Sequence, residues 1–175
     1  MHALDDFVSL KTFPHELFLR LRDVSVCVKT DCPPLVDRLS SYFHSYIHPV
    51  PGTHSYTVYA CLGEAHIDAT LLRDVPRTGG KSPKESYYDT PTGRVVVKKR
   101  TGLVVFSTSS ARYVIGDILK HFNQVVNTIE QLYIEHYHDA GLVLLHAAAV
   151  ADANGRGVLI SSASGVGKSS AALAT

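Results

Sequence analysis

The stretch "GVLISSASGVGKSS", residues 157–170, joins an apolar run to a glycine-bearing turn that ends in Lys-Ser. A loop that binds phosphate needs glycines so that successive backbone N–H groups can curl around the anion. It also needs a lysine for the β and γ phosphates and a hydroxyl for Mg²⁺. Gly165 and Gly167 meet the first requirement. Lys168 supplies the cation and Ser169 the hydroxyl, so the stretch predicts strand, phosphate-binding loop and helix in that order.

The predicted nucleotide site covers this loop and the start of the helix after it. It consists of Ser162, Ala163, Ser164, Gly165, Val166, Gly167, Lys168, Ser169 and Ser170. The full motif, GxxxxGK[ST], has glycine where this chain has Ser162, and serine reaches unusual backbone angles less readily, so we expect strain or weaker binding there. The alternative is a glycine-rich turn with Lys168 merely solvated. The flanking strand and helix favour the phosphate loop.

The composition is that of a globular chain with balanced charge. Of the 175 residues, 45% are apolar, which is enough to build a core. Lys and Arg number 17 and Asp and Glu 16, for a net charge of +1. This balance gives no electrostatic argument for nucleic acid or an anionic membrane as a partner.

Two further features bear on the compartment. The apolar run over residues 141–151 is too short to cross a bilayer, and the N-terminus lacks the basic start and apolar core of a secretory signal. We therefore expect a soluble cytoplasmic protein. Cys27, Cys32 and Cys61 are odd in number and lack CxxC spacing, which predicts free thiols rather than disulfides or a zinc site.

Apolar periodicity predicts an α+β region upstream of the loop. Two phases of alternation over residues 17–30 indicate two short strands or one bulged strand, with the change at Asp23. The other predicted elements are a helix over residues 35–47, a strand over 55–62, a polar loop over 77–86 and an antiparallel meander over 93–117 with a hairpin turn at Thr101 and Gly102.

The longest helical pattern lies immediately upstream of the loop region. It covers residues 117–141, where Asp117 is placed to cap the helix and Gly141 to end it. A strand over 142–150, a turn and a second strand then lead into the loop. The whole chain is thus predicted to be α/β, with an N-terminal α+β domain over residues 1–140 and the start of a P-loop domain over residues 141–175.

The segment "LLHAAAVADANGRGVLISSASGVGKSSAALA" resembles the HPr kinase/phosphorylase superfamily, most closely the HPr-kinase-related kinases of type B. The likeness is strongest over residues 142–174 and looser through "TPTGRVVVKKRTGLVVFS", "VIGD" and "NQVVN". It implies an HPr kinase/PEP carboxykinase-like fold that uses ATP and Mg²⁺ to phosphorylate a Ser or Thr of a protein, whose identity it leaves open. In that family a histidine on the preceding strand lies in the active site, and His146 matches it. Lys168 matches the loop lysine and Ser169 the magnesium ligand.

The same resemblance implies a truncated domain, because the family's catalytic Asp, later metal carboxylate and arginine have no counterpart here. We therefore expect weak or absent kinase activity from this chain alone. Two alternatives stay open: a non-catalytic nucleotide-binding or regulatory module, and an assembly module that forms homo-oligomers through unpaired sheet edges. From its surroundings alone, His146 is more often a hydrogen-bonded core residue than a catalyst.

Two histidine pairs and two short polar runs have patterns typical of ordinary structural roles. His44 and His48, like His136 and His138, lack the further ligands that zinc requires. The run "KKR" at 98–100 either contacts a phosphorylated substrate or is a solvated hairpin end, and a solvated end is the commoner case. "SYYD" at 86–89 has the pattern of ordinary surface or packing aromatics.

Overall fold

The computed structural model describes residues 11–49, 55–163 and 165–174. The chain divides into two compact units, Met1–Tyr133 and Ile134–Thr175. The strands are β1 His15–Leu21, β2 Val24–Thr30, β3 Tyr56–Cys61, β4 Arg73–Asp74, β5 Glu85–Thr90, β6 Gly93–Lys98, β7 Val104–Ser107, β8 Ala111–Ile115, β9 Ala147–Ala151 and β10 Gly157–Ser161. The helices are α1 Pro33–Tyr42, α2 Phe122–Asp139 and α3 Lys168–Leu173. The described chain is therefore mixed α/β, with one large sheet and few helices.

The large sheet has eight strands in the order β1-β2-β3-β8-β7-β6-β5-β4. Of the two readings of residues 17–30, the structure has two strands, paired antiparallel through a turn at Arg22 and Asp23. Arg22 has a φ of 62°, and the turn explains why the apolar phase changes at Asp23. The pairs β2–β3 and β3–β8 are parallel, and the remaining neighbours in this sheet are antiparallel.

The helix after β2 is shorter than the predicted span of 35–47. Leu35 and Leu39 are fully buried, as the apolar stripe requires, but α1 ends at Tyr42 and a short 3₁₀ turn follows at His44–Tyr46. The chain leaves the helical path because Ile47 forms a bridge with Leu19 of the edge strand β1.

Helix α2 begins later than predicted and ends where predicted. Asp117 does cap a turn, since its Oδ1 accepts the N–H of Lys120 at 3.0 Å, but the helix starts only at Phe122. The carbonyl of Leu119 accepts a hydrogen bond from Arg38 Nη1 of α1 at 2.6 Å, and this contact fixes α1 against the entrance to α2. At the other end Gly141, with a φ of 82°, terminates the helix.

The predicted meander is confirmed. Strands β6, β7 and β8 pair antiparallel in sequence order, and Val97 lies opposite Val104 across the hairpin. Gly102 takes a φ of 71° in the turn between β6 and β7, which is the left-handed conformation that glycine adopts without strain.

No described helix is long and apolar enough to cross a membrane.

The cysteines are free, as predicted, and all three are buried. Burial is the main cause that raises the pKa of the Cys61 thiol to about 12, and it also raises the pKa of Cys27. A buried thiol that stays protonated is a poor nucleophile, because the thiolate is the reactive form.

We expect the thiols of Cys27, Cys32 and Cys61 to resist Ellman's reagent in the native protein and to react once urea unfolds it. The unfolded Cys61 thiol ionises near 9.0 and the native one only at about 12, so the free energy of unfolding should decrease as the pH rises across this interval. Equilibrium urea titrations at pH 8 and pH 10 measure this change in the free energy of unfolding. Rapid labelling of all the thiols at pH 8 without denaturant would contradict the assignment.

Candidate functional site

The predicted loop follows a two-stranded antiparallel sheet made of β9 and β10. The turn between them is held by Asp152, whose carboxylate accepts the backbone N–H of Arg156 at 2.9 Å and its Nε at 2.7 Å. These hydrogen bonds, the backbone one first, lower the pKa of Asp152. The hairpin that leads into the loop is thus closed by a charged, well-bonded turn.

The strand predicted over residues 142–150 forms only from Ala147 to Ala151, so His146 lies just before β9 rather than on it. The last pair of the hairpin joins Ala147 to Ser161, and beyond it the partner chain turns into the loop. Residues 142–146 therefore pair with no strand of the described chain, and they are exposed. The register nonetheless places His146 and Ser162 at the same end of the hairpin, next to the final pair.

Left-handed glycines shape the loop itself. Gly165 has a φ of 85° and Gly167 a φ of 86°. A Cβ at either position would meet nothing within 4 Å, so glycine is needed here for its conformation, and the space beside the loop is open. Arg22 is the one non-glycine residue with a positive φ in the described chain, so Ser162 does not take the left-handed conformation. Ser164 lies outside the described residues.

Lys168 ties the two ends of the loop together. Its Nζ donates hydrogen bonds to the carbonyl oxygens of Ser162 at 3.0 Å and Ala163 at 2.9 Å. The side chain therefore reaches back from the first residue of α3 to the first residues after β10. Because an ammonium is a strong donor, these bonds hold the carbonyls towards the cation and place a positive charge at the loop.

Helix α3 starts directly at the loop, with Lys168 as its first residue. Its first turn closes with the hydrogen bond from the N–H of Ala171 to the carbonyl of Gly167 at 2.9 Å. No side chain caps this helix, so the amides of residues 168–170 have no intrahelical acceptor. Ser169 and Ser170 lie in this turn and are exposed, as is Val166 in the loop, while Lys168 is half-buried. The helix contacts both β9 and β10.

The residues present fit a phosphate group better than a bare metal ion. The described residues hold no group of three His, Cys, Asp or Glu side chains placed to bind a metal. Mg²⁺ takes its six ligands mostly from waters, carboxylates and substrate phosphates, and Ser169 offers a single hydroxyl. A magnesium ion at this loop would depend on the phosphates that accompany it.

Comparison with known proteins adds no relative to this picture. No protein-family model, curated protein or solved structure matches the chain.

Replacing Gly167 by alanine should loosen the loop and the hairpin that carries it. A non-glycine residue at a φ of 86° costs about 1–2 kcal/mol, which corresponds to a rise of roughly 5- to 30-fold in native-state hydrogen exchange at the amides of β9 and β10. The matched control is Gly157→Ala, because Gly157 has no positive φ and a Cβ there would lie 3.7 Å from the nearest atom, the carbonyl oxygen of Val150. Equal exchange rates in the two variants would show that alanine takes the left-handed conformation at position 167 without a measurable cost.

Proposed function

We propose that residues 162–170 bind the phosphates of ATP. The observation that carries this proposal is the position of Lys168, whose ammonium lies on the carbonyls of Ser162 and Ala163 at the start of an open glycine loop. A cation held there is available to a phosphate that enters the loop. The left-handed conformations of Gly165 and Gly167 support the same site, since such turns let backbone N–H groups converge on an anion.

The proposed roles follow the order of the chain. Gly165, Val166 and Gly167 supply backbone around the β and γ phosphates, and Lys168 balances their charge. The amides of Ser169 and Ser170 add donors from the first turn of α3, and the Ser169 hydroxyl would supply one ligand to a Mg²⁺ ion bound with the nucleotide. His146, at the loop end of the hairpin, is the candidate to contact the reacting phosphate.

We further propose that the chain is a P-loop unit of the HPr-kinase-related kinase class. In its complete form, such a unit transfers a phosphoryl group from ATP to a protein hydroxyl. The resemblance of residues 142–174 supports this class, and the strand, loop and helix order of β10, the loop and α3 agrees with it. Phosphoryl transfer depends on positioning and charge neutralisation, so it needs a metal carboxylate and a group that orients the nucleophile as well as the loop.

Exposure of the hairpin favours a second candidate, nucleotide binding without turnover. On β10, Val158 is 61% exposed and Leu159 is 55% exposed. Catalytic electrostatics act most strongly where water is excluded, and a strand that carries a phosphate loop in an enzyme is normally covered on both faces. The described residues of this unit leave the hairpin open to solvent, which suits binding more than catalysis.

Calorimetric titration with ATP and Mg²⁺ tests nucleotide binding. We expect the native chain to bind and Lys168→Ala to lose at least about tenfold in affinity, because a charge-assisted bond to phosphate is removed. Lys81→Ala is the matched control, since it removes an exposed lysine from the other unit. Affinity that is equal in all three proteins, or absent in the native chain, would refute the proposal.

A turnover assay then separates the two candidates. Release or transfer of the γ phosphate that depends on Lys168 and His146 supports a kinase, whereas tight ATP binding without turnover supports a binding module. We expect the second result from this chain alone.

A further inference from the structure

A second concentration of positive charge lies in the other unit, around a pocket of about 380 Å³. We name this feature the basic pocket. Its lining includes Lys84, Glu85, Lys98, Arg100, His121 and Gln124. The pocket thus uses the end of the "KKR" run together with residues from well before and well after it in the chain.

One wall of the basic pocket is the hairpin end beyond β6, and backbone hydrogen bonds hold it firmly. The N–H of Gly102 donates to the carbonyl of Lys98 at 2.8 Å and closes the turn that carries Arg100. The N–H of Lys99 donates to the carbonyl of Lys84 at 2.9 Å. Arg100 therefore lies in a hydrogen-bonded turn after β6, and Lys84 lies beside it on the hydrogen-bonded residue before β5.

The opposite wall is the turn that enters α2, and a close contact joins it to the hairpin. Leu103, fully buried at the hairpin end, packs on Gly116, where an added Cβ would lie only 2.5 Å from a methyl of Leu103. From there the N–H of His121 donates to the carbonyl of Asp117 at 3.0 Å. The N–H of Gln124 donates to the carbonyl of His121 at 2.8 Å. The two walls are thus set against each other by packing.

The charges that line the pocket do not cancel. Lys98 is paired with Glu85 at 2.6 Å, and the neighbouring Lys99 with Asp74 at 2.5 Å. Lys84 and Arg100 form no ion pair with any carboxylate of the described chain. Two cationic side chains therefore line one concave site without a protein counter-charge, in a chain whose net charge is only +1. An anion in the pocket would relieve their mutual repulsion.

The donors around the pocket match a phosphate group. Besides the two cations, the Thr101 hydroxyl, the Gln124 amide and the His121 ring line it. Arginine and lysine are the side chains that proteins use for phosphate, the first through its fork of N–H donors and the second as a point charge. The lining contains no Phe, Tyr or Trp ring on which a nucleobase would stack, so the donors of the pocket fit the phosphate group better than a base.

We propose that the basic pocket binds the phosphate group of a small soluble ligand. A volume of about 380 Å³ is within the usual range of ligand pockets, about 300–1,000 Å³. All the lining residues belong to the unit Met1–Tyr133, whereas Lys168 belongs to the unit Ile134–Thr175. Phosphate binding in the basic pocket requires no nucleotide at residues 162–170.

The test uses the full chain with Lys168→Ala, so that the loop does not compete for the probe. Amide chemical shifts are followed by NMR during titration with glycerol 3-phosphate and with pyrophosphate at constant ionic strength. We expect saturating shifts at Arg100, Thr101, His121 and Gln124. The pair of substitutions Lys84→Gln and Arg100→Gln should weaken binding at least tenfold, since about one order of magnitude corresponds to one lost charge-assisted bond.

The matched control is Arg20→Gln, which removes one exposed cation from β1 at the far edge of the same sheet and should leave the affinity unchanged. Arg100→Gln alone serves as a milder variant if the pair disturbs the fold. Shifts that never saturate, that sodium acetate reproduces, or that survive both substitutions would overturn the proposal. Binding to phosphatidic acid vesicles without binding to glycerol 3-phosphate would overturn the assignment to a small soluble ligand.

Discussion

Left-handed backbone at the ends of strands is the constraint on which both candidate sites depend. At Gly102 the chain reverses so that Arg100 is carried on a bonded hairpin, and at Gly167 it turns from the loop into α3. An L-residue with a side chain enters this conformation only at a cost, because its Cβ approaches the neighbouring carbonyl. In each case the glycine positions a cation that the chain places directly beside the turn.

The two cations, Lys168 and Arg100, differ in their hydrogen-bond partners. Lys168 is satisfied by two backbone carbonyls, so its ammonium stays at the loop without a carboxylate partner. Among the described residues Arg100 has no such acceptor. It lies in a pocket with Lys84, where Glu85 is the one acidic residue of the described lining and is already paired with Lys98. One site is thus organised around its charge before a ligand arrives, whereas the other carries a local excess of positive charge.

Local signals were enough to predict the elements whose ends are marked by turn residues. The meander and the end of α2 at Gly141 follow from β-branched runs and from glycine chemistry, and both were predicted correctly. The bounds of other elements depend on contacts between residues that are distant in the sequence. Helix α2 starts only at Phe122, after a turn in which the carbonyl of Leu119 accepts from Arg38, and β9 is short because its partner ends at Ser161. The loop could be predicted because its residues form one contiguous sequence motif. The basic pocket could not, because Lys84, Arg100 and His121 are far apart in the sequence and no short motif links them.

The parallel pairing of β3 with β8 has a consequence for how the protein reaches its native state. Every strand of the hairpins between them, β4 to β7, lies within the chain that must be closed before Cys61 can align with Ile115. Closing so long a segment costs conformational entropy that local turns avoid, and topologies rich in such pairings fold slowly. The neighbouring hairpins have short closures and are expected to form early. We therefore expect the pairing of β3 with β8 to form late and to limit the folding rate.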